Sequence, residues 1–219
     1  MRESPRIRRL RSDFKALEKL RDESSIVDFE MTRTPYGTQP EAYLVRFLGK
    51  GLWRPDRSSD ILVRELHEVA ITLGASYPRM MPELAWRSPI FHPNISAGGI
   101  VCLGGYGTHW VPSLNLDELC CMLWDMIRYR NFDVESPYNR EAALWAKTQR
   151  SYRLPVDTRP LRDRVAGLAP KGHNGHRPPV TAIPLALPDG PPDVLFIDGE
   201  EVVEAEVVEP EDPDILFIE

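Results

Sequence analysis

The sequence predicts an α+β domain in which an N-terminal helix, an antiparallel meander of about four strands and a set of C-terminal helices share one core. Three observations predict it. Apolar residues near the N-terminus recur every three or four positions; between residues 26 and 87 they alternate in short runs; from residue 115 the helical spacing returns. With 219 residues there is room for one domain of about 150 residues, which buries roughly two-thirds of its unfolded surface, and an extension.

Residues 2–21 carry eight basic groups against three acids, with Ile7, Leu10, Phe14, Leu17 and Leu20 along one stripe. This is the pattern of an amphipathic basic helix, whose charged side is either a solvated surface or a docking face. Residues 26–31 and 42–47 alternate on either side of T-P-Y-G-T-Q-P and read as a hairpin. The glycines and proline of residues 48–60 read as a loop, and residues 67–73 and 83–87 as a third and a fourth strand. Asn115 followed by Glu118 has the form of a capping arrangement. Leu116, Leu119, Cys120, Leu123 and Ile127 then predict a buried helix that holds Cys120 and Cys121 as structural thiols. Ser136 as N-cap and Pro137 at the first helical position predict a further helix through E-A-A-L-W-A-K.

From about Leu154 prolines and glycines break the pattern. Residues 1–153 are therefore expected to be the domain, 154–187 a linker and 188–219 a separate tail. The tail holds twelve acids and no base, so the formal charge of −6 leaves about +6 (−6 minus −12) on the rest. His173 and His176 lack the cysteine or carboxylate neighbours of a metal site, and no metal or cofactor is expected. Three cysteines make no disulfide framework, and no secretory segment or apolar run of about 20 residues is found, so the expected setting is a reducing cytoplasm without membrane or nucleic-acid partners. Arginine outnumbers lysine 22 to 5, which hints at a GC-rich bacterial genome.

Residues 90–110 have the composition of a site: a cysteine, two histidines and an asparagine among five glycines, where backbone can approach a ligand closely. His92, Pro93 and Asn94 are consecutive, Cys102 lies ten residues after His92, and Trp110, Val111 and Pro112 begin eight residues beyond the cysteine. Motif and spacings resemble the active-site segment of the ubiquitin-conjugating enzymes. The resemblance covers roughly residues 5–150 and is strongest from 77 to 112. It implies the UBC-like fold and an acyl transfer in which Cys102 accepts the C-terminus of a ubiquitin-like modifier as a thioester and passes it to a lysine amine. Cysteine suits that step because it is intrinsically nucleophilic, even when mostly protonated.

The same resemblance implies the remaining roles. Asn94 would donate to the oxyanion of the tetrahedral intermediate or brace its loop. His92 would fix the turn, Trp110 would pack beneath the site, and Ser136, with Glu135 beside it, would border the cysteine as a gate. Arg6, Arg8, Arg9 and Arg11 of the basic helix would dock an ATP-using activating enzyme, and Met80 or Met81 with Pro112 would meet a ligase or target. The chain departs from the family at residues 49–66, where the usual proline-tyrosine-glycine stretch is missing. Two other readings stay open: a thiol hydrolase using Cys102 with His92 or His109 as base, and a binding module that only holds a modifier.

The tail repeats one seven-residue pattern, P-D-V-L-F-I-D and P-D-I-L-F-I-E, at an interval of 21. Val194, Leu195, Phe196 and Ile197, and again Ile215, Leu216, Phe217 and Ile218, are β-prone runs bracketed by acids. They resemble motifs that bind ubiquitin-like modifiers by adding a strand to a sheet edge. The alternative is that they fold back on this protein.

Overall fold

The computed structural model of the protein describes residues 3–33, 39–57, 59–103 and 110–166. Chain order is α1 (Pro5–Glu23), β1 (Val27–Arg33), β2 (Ala42–Trp53), β3 (Leu62–Thr72), β4 (Glu83–Trp86), α2 (Leu116–Ile127), α3 (Arg140–Thr148) and α4 (Asp163–Ala166). The strands form an antiparallel sheet in the order β1-β2-β3-β4. This is the expected α+β meander, flanked by helices.

Alternation along the strands sets the core face. The register places Val27 opposite Phe47, Phe29 opposite Val45, and Tyr43 opposite Ile71, so these buried side chains share one side of the sheet. Leu10, Leu17 and Leu20 of α1 and Leu116, Leu119, Leu123 and Ile127 of α2 complete the same core. Ser4 caps α1 by accepting the Ile7 N–H, with Pro5 at the position where a missing N–H costs nothing. At α2 the Glu118 carboxylate accepts the Asn115 N–H at 2.9 Å, as the capping pattern predicts.

Three expectations are corrected. Residues 48–53 are strand, not loop, and β3 begins at Leu62 rather than 67. The glycines there mark close packing: a Cβ on Gly49 would lie 2.3 Å from Trp124, and one on Gly51 2.6 Å from His67. A bulge between Leu48 and Gly51 carries the pairing past them. Second, the domain does not end at 153. Val156 donates to the Arg128 carbonyl at 2.9 Å, Trp124 Nε1 donates to the Arg159 carbonyl at 2.9 Å, and Leu161 is buried, so 154–166 are packed chain rather than linker. Hydrogen bonds to residues distant along the chain hold this segment, and those have no sequence period. The remainder of the expected linker and the tail, including both repeats, lie outside the described residues. Third, α3 starts later than Ser136: Asn139 is its N-cap and accepts the Ala142 N–H at 3.1 Å.

Candidate active site

The segment around His92 and the segment around Cys102 run antiparallel, joined by a bridge between Ile95 and Val101. A tight turn at 96–99 reverses the chain. Gly99 has φ +82°, and a Cβ there would lie 2.3 Å from the Trp86 carbonyl oxygen, so only glycine fits. Its own carbonyl accepts the Trp86 N–H at 2.7 Å, which anchors the turn to β4. The Cys102 N–H donates to the Asn94 carbonyl at 2.9 Å, setting those two residues side by side.

Cys102 is partly exposed, whereas Cys120 is fully buried and its thiol is pushed well up by desolvation. Burial also raises the Cys121 thiol. Both are unsuited to nucleophilic work at neutral pH, and Cys120 is the structural thiol expected of it.

Asn94 is buried, and both ends of its side-chain amide bond to one residue. Oδ1 accepts the Asp133 N–H at 2.7 Å and Nδ2 donates to the Asp133 carbonyl at 2.9 Å. The Asp133 carboxylate accepts the Glu135 N–H at 2.8 Å and the Ser136 N–H at 3.3 Å, and the Asn139 N–H donates to the Pro93 carbonyl at 2.8 Å. The loop that carries Ser136 is therefore clamped to the His-Pro-Asn segment at two points. Ser136 is exposed on it, and Glu135 pairs with Lys147 at 2.8 Å.

His92 is completely buried, edge-on to Tyr129 at 5.0 Å, and its Nδ1 accepts the Asn94 N–H at 3.1 Å. Desolvation pushes its pKa down to about 3, so the ring is neutral and its accepting nitrogen is occupied. It braces the turn, and the nitrogen that could take a proton already accepts the Asn94 N–H. His109, the other candidate base, lies outside the described residues, as do Gly104 and Gly105. Sequence reasoning missed Asp133, Asn139 and Tyr129, whose hydroxyl donates to the Phe91 carbonyl at 2.5 Å. Asn139 alone carried a readable signal, as a capping residue.

The basic helix divides. Arg6 pairs with Glu41 at 2.7 Å and donates to the Leu73 and Gly74 carbonyls. Arg9 pairs with buried Asp13 at 2.8 Å and donates to the Tyr77 hydroxyl and to the Pro112 and Leu114 carbonyls. Both are internal ties rather than free docking charges. Arg8 is exposed, and Arg11, paired with Glu3, is half exposed. Of the two methionines, Met80 is 63% exposed while Met81 packs against the core. Trp110 packs against the core, and its Nε1 donates to the Pro78 carbonyl at 2.7 Å, holding exposed Val111 and Pro112 near Met80's loop.

Residues 63–159 match the family model of the ubiquitin-conjugating enzymes. Among curated relatives, the chain is 36% identical over 79 residues to ubiquitin-conjugating enzyme E2 16 of Schizosaccharomyces pombe, covering 36% of this chain and 48% of that protein. It is 28% identical over 90 residues to SUMO-conjugating enzyme UBC9 of Caenorhabditis elegans, covering 40% and 53%. It is 33% identical over 78 residues to Nedd8-conjugating enzyme UbcE2M of Drosophila melanogaster, covering 36% and 42%. The chain thus spans about half the length of the curated relatives it matches. S. cerevisiae Ubc12 shares the fold, with TM-score 0.50 and 22% identity over 68% of this chain and 75% of that one.

Proposed function

We propose, from the match of residues 63–159 to the ubiquitin-conjugating enzyme family, that Cys102 accepts the C-terminus of a ubiquitin-like protein as a thioester and transfers it to a lysine amine. The observation that carries this is the pairing of a partly exposed Cys102 with Asn94 through one backbone bond inside the matched segment. The amine nitrogen attacks the thioester carbonyl, the carbon–nitrogen bond forms, the carbon–sulfur bond breaks, and the amine proton passes to solvent. Asn94 holds the loop bearing Ser136 in place, and its second amide hydrogen is left to donate to the oxyanion. Ser136 stands at the rim where the incoming amine is oriented and desolvated.

Arg8 and Arg11 are the charges available to an activating enzyme, and Met80 with Pro112 the contact for a ligase or target. The repeated runs of the tail, beginning at Val194 and Ile215, are proposed to hold the free modifier by strand addition. The setting is a reducing cytoplasm. The arginine excess supports a bacterial source, although the relatives named above are eukaryotic. Hydrolase chemistry is disfavoured by the buried, neutral and already bonded His92.

The test is charging with an activating enzyme, ATP and candidate modifiers. The intact chain should form an adduct that thiol removes, and Cys102→Ser should form a thiol-resistant ester or none. A thiol-labile adduct persisting in Cys102→Ser would sink the assignment.

A further inference from the structure

Along the outer side of the 96–99 turn runs a cleft that none of the roles above uses. It has two lobes, of about 430 and 590 Å³, which share Arg54, Ile90 and Ala97 in their walls. Arg57 and Arg140 line one lobe and Arg87 the other, so four guanidinium groups face two carboxylates, Asp56 and Glu141. Glu141 is already bridged to Arg54 and lies 3.8 Å from Arg57, and Asp56 accepts the Ser59 hydroxyl at 2.6 Å. Arg87 and Arg140 are exposed, and among the described residues neither is in an ion pair.

Arg54 is held by Glu141 and by the Phe91 ring at 4.7 Å, but stability does not explain Arg57 and Arg140. Arg140 is the first residue of α3, where a positive charge opposes the helix dipole, and the Arg57 side chain is 90% exposed. Guanidinium forks are instead suited to bidentate capture of carboxylates. The cleft is tied to the segment that carries the site: Asn139 in its wall donates to Pro93, and Ala97 is five residues from Cys102, at most about 17 Å along the chain.

We infer that this cleft is the acceptor's specificity site, holding a polypeptide segment with acidic side chains within about five residues of the acceptor lysine. The inference rests on Cys102 being the acyl carrier. The acidic side chains pair with Arg87 and Arg140, and the intervening backbone lies over the small residues of the turn, which delivers the lysine to the sulfur. Acceptors without acids near the lysine gain nothing from the cleft.

A test without modifier or activating enzyme separates this idea from the conjugation reading. A short peptide is made with cysteine in place of the acceptor lysine, blocked as a mixed disulfide with 5-thio-2-nitrobenzoate, and with flanking glutamates or, in a matched peptide, glutamines. The Cys102 thiolate attacks the peptide sulfur, a protein–peptide disulfide forms, and the coloured aromatic thiolate is released. Cys102→Ala in the full chain supplies the background from Cys120 and Cys121. The glutamate peptide should react about fivefold faster at low salt, the size expected of two exposed ion pairs, and the advantage should fade as salt screens them. Arg87→Glu with Arg140→Glu should bring the ratio to one or below, with the circular dichroism of the fold unchanged. Equal rates in the unaltered chain, no Cys102-dependent release, or an advantage that survives the double reversal would overturn the inference. So would a glutamate advantage that appears only when the acids of 188–219 are neutralised.

Discussion

Two buried polar clamps hold the loops of this domain, and they are built from different materials. Beside Cys102 the clamp is uncharged: the Asn94 amide bonds twice to the Asp133 backbone, and neutral His92 accepts the Asn94 N–H. Between α1 and the loops at 77 and 112 it is ionic. Asp13 accepts from Arg9 at 2.8 Å, from the Tyr77 hydroxyl at 2.7 Å and from the Leu116 N–H at 3.2 Å, while Arg9 ties down the Pro112 and Leu114 carbonyls. An amide clamp can be broken without stranding a charge; a buried ion pair cannot. Damage to the first should therefore show mainly in rate, and damage to the second mainly in folding.

Acidification should have the largest effect. His92, depressed to about 3, and His67, depressed to about 4, refuse the proton that the unfolded chain takes up near 6.5. Their stabilisation is complete above pH 6.5 and is lost as pH falls toward their folded values, on the order of 5 kcal/mol by pH 4. Burial raises the Asp13 pKa, so its contribution has the opposite sense and is lost as pH rises through the folded value. Urea unfolding at pH 7, 5.5 and 4 checks this, and a flat profile over that range contradicts it.

Asp13→Ala comes next. It leaves Arg9 uncompensated and the Tyr77 hydroxyl and Leu116 N–H without their partner, and should cost about 3–5 kcal/mol in denaturant unfolding. A loss under about 1 kcal/mol would mean that the ionic clamp is replaceable by solvent.

Asn94→Ala should load nearly normally yet discharge to lysine about 100-fold more slowly. Asn94→Asp keeps an acceptor for the Asp133 N–H but loses the donor. If it discharges as slowly as the alanine variant, donation carries the rate. If discharge recovers, bracing does. The smallest effect belongs to Arg8→Glu with Arg11→Glu, which should slow charging a few-fold at low salt and less at physiological salt, where the screening length is about 8 Å. Unchanged charging at low salt would leave these arginines as an ordinary solvated face.

Much of this molecule was legible because its elements are periodic. The stripe from Ile7 to Leu20, the alternation around Tyr43 and Val69, and the spacing from Leu116 to Ile127 each repeat at the period of the structure they form, since a core must be approached from one face. The His-Pro-Asn to cysteine spacing was legible for a related reason: a tight turn and one bridge need a fixed number of residues. Only the tertiary structure decided what lacks a period. Gly49 and Gly51 look like loop residues until Trp124 and His67 are seen to occupy the space where a Cβ would be. Residues 154–166 look like linker until their side chain and backbone partners on α2 and β2 are in place. Arg6 and Arg9 match Arg8 and Arg11 in the sequence and differ from them in use, because partners 35 to 105 residues away determine which charges are tied down and which face solvent.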